Sequence, residues 1–84
     1  MSYCVYMLKS QGVKSVTYVG YTKNIKERLV LHNSGKGAKF TRGRTWKLIY
    51  KEIFKSKNKA ISREYYIKKN RTLRNKIKNS NIWK

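Results

Sequence analysis

Glu27, Glu52 and Glu64 are the only carboxylate side chains in an 84-residue chain that carries 22 lysines and arginines and a formal charge of +19. In so positive a molecule each acid requires a reason. Glu27 follows Asn24 by three residues, a capping-box spacing in which its carboxylate satisfies free amides and favours the positive end of a helix dipole. Glu52 adjoins Lys51 in a β-type stretch, the setting for an exposed cross-strand charge pair. Glu64 is different. At about 100° per residue, Ala60, Ile61, Tyr65 and Ile67 define an apolar arc with Glu64 near its middle, so this carboxylate should face inward. An inward acid needs Lys68 four residues on, an arginine from the core, or a bound cation. On another helical segment, Arg28 and His32 stand one turn apart and can face one target.

The charge names the class of that target. Like charges confined to a small globule repel one another, and a polyanion relieves the repulsion while releasing its own counterions. DNA or another nucleic acid is the expected partner. A membrane surface is a poorer fit, because no stretch pairs a long apolar face with a basic one. There is also no run of about 18 apolar residues to span a bilayer. The start, Met1-Ser2-Tyr3-Cys4, lacks a basic segment and a cleavage site of the secretory kind, so a cytoplasmic location is expected. Cys4 is the only cysteine and His32 the only histidine. An internal disulfide and a Cys/His zinc site are thereby excluded, and Cys4 is expected to pack as a small apolar residue.

The length implies a single domain over residues 1–84, with no linker or repeat. Residues 3–9 and 15–21 read as strands of a β-hairpin around a polar turn. In the second strand Val16, Tyr18 and Gly20 share one face, and Thr17, Val19 and Tyr21 the other. Asn24 caps a helix over Ile25–Asn33 that Gly35 stops, with Ile25, Leu29 and His32 on one side and Arg28 at its border. Residues 34–45 form a Gly-rich basic loop in which Lys36, Lys39, Arg42 and Arg44 surround Phe40. It suits a phosphate track but lacks the P-loop pattern. A third strand is expected at Trp46–Phe54, a helix capped by Ser56 over Lys57–Lys69, and a short basic amphipathic helix over Thr72–Asn79. Asn81, Ile82 and Trp83 are expected to pack back on the domain.

Val5-Tyr6-Met7 on the first strand and Tyr18-Val19-Gly20 on the second, followed by a capped helix bearing Arg28, resemble the two signature motifs of the GIY-YIG endonuclease superfamily. The stretch Tyr18 to Arg28 looks like the second motif through its helix arginine. His32-Asn33-Ser34-Gly35-Lys36-Gly37-Ala38 looks like the small single-domain bacterial (UPF0213-like) branch, related to the catalytic subunit of structure-selective DNA endonucleases. Glu64 falls where the family keeps its metal-binding glutamate. The resemblance covers residues 3–70 and implies an α/β (α+β) fold, a small three-stranded mixed or antiparallel sheet flanked by helices.

What the resemblance implies about activity is metal-dependent hydrolysis of DNA phosphodiesters, on branched or flapped substrates in repair or recombination. Glu64 would hold one Mg2+ or Mn2+ ion, Arg28 would pair with the scissile phosphate, and Tyr6 or Tyr18 would activate or orient the attacking water. Cations nearby are expected to favour the phenolate. His32 would steady a phosphate or assist proton movement, and Lys23, Lys36, Lys39, Arg42 and Arg44 would follow the DNA backbone. Many family members place an asparagine after the glutamate helix, for which Asn70 and Asn75 are both candidates. A monomer is expected; no residue identifies a targeting partner. The alternative is a catalytically silent, basic nucleic-acid-binding protein of the same fold.

Overall fold

The computed structural model describes residues 2–12 and 14–79. The expected positions of Asn81, Ile82 and Trp83 lie outside these residues. Strand β1 (Tyr3–Ser10) pairs antiparallel with both β2 (Thr17–Thr22) and β3 (Trp46–Phe54), giving the order β2-β1-β3. The sheet is wholly antiparallel, and with its helices makes an α+β fold. A central strand is covered on both faces, which explains why Tyr3–Leu8 contains no charged residue: Cys4 through Leu8 are all buried. Two bonds close the hairpin turn, Ser10 N to Val16 O at 2.9 Å and Val16 N to Ser10 Oγ at 2.9 Å.

The alternation sorts the side chains into two cores. Val5, Met7 and Val19 face Ala60 and Ile67 of α2 (Lys57–Lys69), with Leu73 and Ile77 of α3 (Arg71–Asn79) packed beside them. Cys4, Tyr6 and Leu8 face the other way, with Tyr18, Trp46 and Ile25 and Leu29 of α1 (Ile25–Asn33). Helix α1 begins at Asn24, whose Oδ1 accepts from the Glu27 amide at 3.1 Å while its Nδ2 donates to the Glu27 carboxylate at 3.4 Å. It ends in a Schellman motif: Gly35 N donates to His32 O at 3.2 Å and Lys36 N to Leu31 O at 2.8 Å, with Gly35 at φ +80°. Just before that stop, Asn33 grips the main chain of Trp46, accepting at 2.6 Å and donating at 3.2 Å, and so ties the end of α1 to the start of β3.

Two expectations are corrected here. Ile61 and Tyr65, expected on the inward arc of α2, are 38% and 59% exposed, whereas Ala60 and Ile67 are fully buried. The inward stripe is 60-64-67, spaced by four and three residues, and apolar residues on the outer side of the helix had widened the apparent arc. Glu52 pairs with Arg63 of α2 at 2.7 Å, not across the sheet, because its neighbour on β1 is Val5. Burial separates the two isoleucines energetically. Ile67→Val should lower unfolding free energy by about 0.5–1.5 kcal/mol, while Ile61→Val should change it by less than about 0.5 kcal/mol. Urea denaturation followed by circular dichroism measures both.

Candidate active site

Tyr6 lies opposite Gly20 in the β1–β2 ladder, and both point toward the α1 side of the sheet. A Cβ on Gly20 would stand 2.7 Å from the Tyr6 hydroxyl oxygen and 2.9 Å from Cζ, so the phenol occupies the space that a side chain would have filled. The ring is buried, and its hydroxyl meets His32 Nε2 at 2.9 Å. On the far side of the imidazole, Nδ1 meets Thr41 Oγ1 at 2.9 Å. The Thr41 hydroxyl donates to Ala38 O at 2.8 Å and accepts from Ala38 N at 3.2 Å. A hydroxyl has one proton; with it committed to Ala38 O, the Nδ1–H of His32 donates to Thr41 and Nε2 accepts from Tyr6. The order of donation is Tyr6 to His32 to Thr41 to Ala38.

The loop after α1 exists to close this chain. Its 3-10 turn at Lys39–Thr41 buries Thr41, whose carbonyl accepts from the Trp46 indole at 2.9 Å. Gly37 lies flat on the imidazole, where any Cβ would collide with His32 Nδ1. Tyr18 covers another side of the same ring, 4.9 Å between centroids, and stacks on Phe40 at 6.3 Å.

A cavity of about 500 Å³ opens beside Tyr6. Tyr18 and Gly20 come to it from β2, Lys23 from the turn beyond, Arg28 from α1, and Lys57 and Glu64 from α2. Residues from opposite faces of the sheet thus line one cavity, with Gly20 of the edge strand β2 among them. Among the described residues Arg28 has no carboxylate partner. The Glu64 side chain is 17% exposed and stands 3.6 Å from Lys68 Nζ.

The comparisons with known proteins give the family. A family model described as the GIY-YIG catalytic domain matches residues 2–78. The chain belongs to the GIY-YIG family. A UPF0213 protein of Clostridium perfringens is 52% identical over 66 residues, 77% of this chain and 69% of that protein. Another, from Staphylococcus haemolyticus, is 46% identical over 65 residues, 76% of this chain and 77% of the relative. The solution NMR structure of UPF0213 protein BH0048 from Bacillus halodurans is 37% identical, with a TM-score of 0.56 over 92% of this chain and 82% of that one. The GIY-YIG family is a nuclease family.

Of the residues singled out in this GIY-YIG chain, Tyr6, Tyr18, Arg28, Glu64 and Lys23 line one cavity, with His32 directly behind Tyr6. Lys36, Lys39, Arg42 and Arg44 do not line it; their loop seats Thr41 and Gly37 against His32. Asn70 caps α3, its Oδ1 accepting from Leu73 N at 3.0 Å, and Asn75 lies in a separate cleft. Thr41 and Lys57 were not foreseen. Nothing in a threonine within a basic, Gly-rich loop marks it as the partner of a histidine nine residues away.

Burial governs the titration of the pair. It pushes the Tyr6 phenol well above its ordinary range, assisted by Tyr18 and opposed by Arg28, so the field of cations does not favour the phenolate in the free protein. Burial also lowers the His32 pKa, and the Arg28 charge lowers it further. As pH falls the unfolded chain therefore takes up the histidine proton first. Stability that is full above the reference value of about 6.5 is lost as pH drops from there toward the folded pKa. His32 is the only histidine, so its NMR titration is read without ambiguity. It should titrate below the reference value, and Arg28→Ala should move the midpoint upward. Separately, Gly20→Ala should cost about 1–3 kcal/mol in urea denaturation and break the Tyr6–His32 contact. The latter is read as a changed imidazole chemical shift.

Proposed function

We propose that this GIY-YIG chain is a metal-dependent DNA endonuclease in which Tyr6 and His32 form the base, Arg28 holds the scissile phosphate and Glu64 anchors the cation. The supporting observation is the meeting of a His-bonded tyrosine, an unpaired arginine and a shielded carboxylate in one cavity. Glu64 fits a hard cation: it is an oxygen donor facing a roomy cavity, and Mg2+ commonly takes one or two carboxylates and fills its shell with water and phosphate oxygens. Mn2+ accepts the same donors. When bound, the ion would polarise the phosphate and neutralise its growing charge.

The protein's own groups supply the rest. Arg28 offers a planar fork of donors to two phosphate oxygens, strongest where charge grows in the transition state. Tyr6 takes a proton from the attacking water as its own proton passes to His32 Nε2; the water oxygen bonds to phosphorus as the bond to the leaving 3′ oxygen breaks, and that oxygen takes a proton from solvent, so a free phenolate, which burial opposes, need never accumulate. Thr41 keeps Nε2 unprotonated to receive it. Tyr18 holds the imidazole plane. Branched and flapped DNA are the proposed substrates, after the nucleases that the small branch resembles.

The rival reading, a silent DNA-binding protein, draws on the Glu64–Lys68 contact. That contact is weak, since 3.6 Å is long and the Lys68 side chain is 49% exposed. Such pairs contribute about 0–1 kcal/mol, so a cation with a bound phosphate can replace the lysine. Purified protein should cleave labelled flap or fork DNA with Mg2+ or Mn2+ and not with EDTA. Glu64→Gln, Arg28→Ala and Tyr6→Phe should each lower the single-turnover rate by about 10²-fold or more, while retaining DNA binding. Binding without cleavage on every substrate would establish the silent module, and undiminished cleavage by Glu64→Gln would indicate a contaminant.

A further inference from the structure

A second cleft, of about 410 Å³, runs between the start of β2 and the α2–α3 junction. Lys68, Arg71, Arg74, Asn75 and Lys78 line it, and no acid does. On α3 the residues 71, 74, 75 and 78 follow the three-and-four spacing of one helical face, while Leu73 and Ile77 on the opposite face pack into the core. The helix is thus fastened by its apolar side and presents cations on the other.

Two of these cations are held in place without being neutralised. Arg74 donates from Nη1 to Ile67 O at 3.1 Å and also to Lys68 O, closing the C-terminus of α2. Lys78 donates from Nζ to Ser15 O at 3.2 Å. Both side chains are half-buried, and neither has an ion pair among the described residues. A carbonyl satisfies one donor and leaves the charge and further N–H groups unspent. Fixed, partly desolvated cations that converge on a cleft with no counter-charge are complementary to an anion.

The cleft and the active-site cavity share a wall. Tyr18 lines both, and Lys68 of the cleft reaches toward Glu64 of the cavity. Arg71 and Lys78 are seven residues apart, about 10 Å along the helix, the axial length over which one DNA strand carries about three phosphates. We propose that this cleft binds the phosphodiester backbone of DNA beside the cleaved bond, with Arg71 and Lys78 contacting phosphates about three steps apart on one strand. The strand would pass from Arg28 and Glu64 across Tyr18 onto α3. The placement beside the cleaved bond rests on the nuclease reading; the anion-binding cleft does not.

The test measures the salt dependence of DNA binding by fluorescence anisotropy in the Glu64→Gln background, so that no substrate is consumed. Arg71→Gln/Lys78→Gln is the cleft variant; glutamine at 78 keeps a donor for Ser15 O. Lys55→Gln/Lys76→Gln removes the same charge at exposed positions that do not line the cleft. The cleft variant should lose about 0.9 in the slope of log K against log salt for each phosphate contact removed, about 1.8 in all, and the control much less. Equal slopes for the two double variants, or no change in the cleft variant, would overturn the proposal. If the protein with Glu64 intact cleaves nothing while the cleft variant alone loses slope, the nuclease reading fails and the cleft stands. If it cleaves and the two variants behave alike, the cleft fails and the nuclease reading stands.

Discussion

The Tyr6 phenol lying over the Gly20 α-carbon is the contact on which the site depends. Tyr6 belongs to the central strand, paired on both sides, and its ring lies across the adjacent strand at Gly20. A side chain at position 20 would close that space. With glycine there, the hydroxyl reaches His32, and Glu64 of α2 and Arg28 of α1 open onto the cavity that the phenol lines. The rest of the fold serves this crossing: the Schellman turn after α1 brings the loop back, Gly37 lets it lie on the imidazole, and Thr41 orients that ring.

Tyr6 and His32 are tuned against ionisation together. Burial disfavours both the phenolate and the imidazolium, so the resting pair is neutral. In the proposed reaction a neutral relay would take the water's proton only as attack begins, without first placing a charge on the pair. Arg28 contributes twice, opposing protonation of His32 and offering its guanidinium to the cavity.

Much of the fold was legible because it follows local rules. The alternation of Val16, Tyr18 and Gly20 against Thr17, Val19 and Tyr21, the Asn24 and Ser56 caps, and the glycine after α1 are decided within a few residues of themselves. What depended on tertiary placement was less visible. The inward stripe of α2 was blurred because Ile61 and Tyr65 are apolar yet exposed. Glu52 found Arg63 eleven residues away only because α2 folds over β3. Thr41 acquired its role from a turn that brings it under His32, and no spacing encodes that. The composition of the basic loop likewise says nothing of the packing of Gly37 and Thr41 on the histidine.

The acids show how the charge is organised. Glu27 is absorbed by the α1 cap and Glu52 by Arg63, so each ties a helix to its place. Glu64 is paired only at 3.6 Å, with a lysine that also faces the α3 cleft. A metal ion at Glu64 would repel Lys68 and turn it toward that cleft, while phosphate in the cleft would draw the lysine the same way. Cation and DNA would then assist one another through a single side chain. In the proposed nuclease such coupling would let one carboxylate suffice: the cation would be held weakly by the protein alone, and firmly once the polyanion supplied oxygens to the metal and a new partner to the lysine.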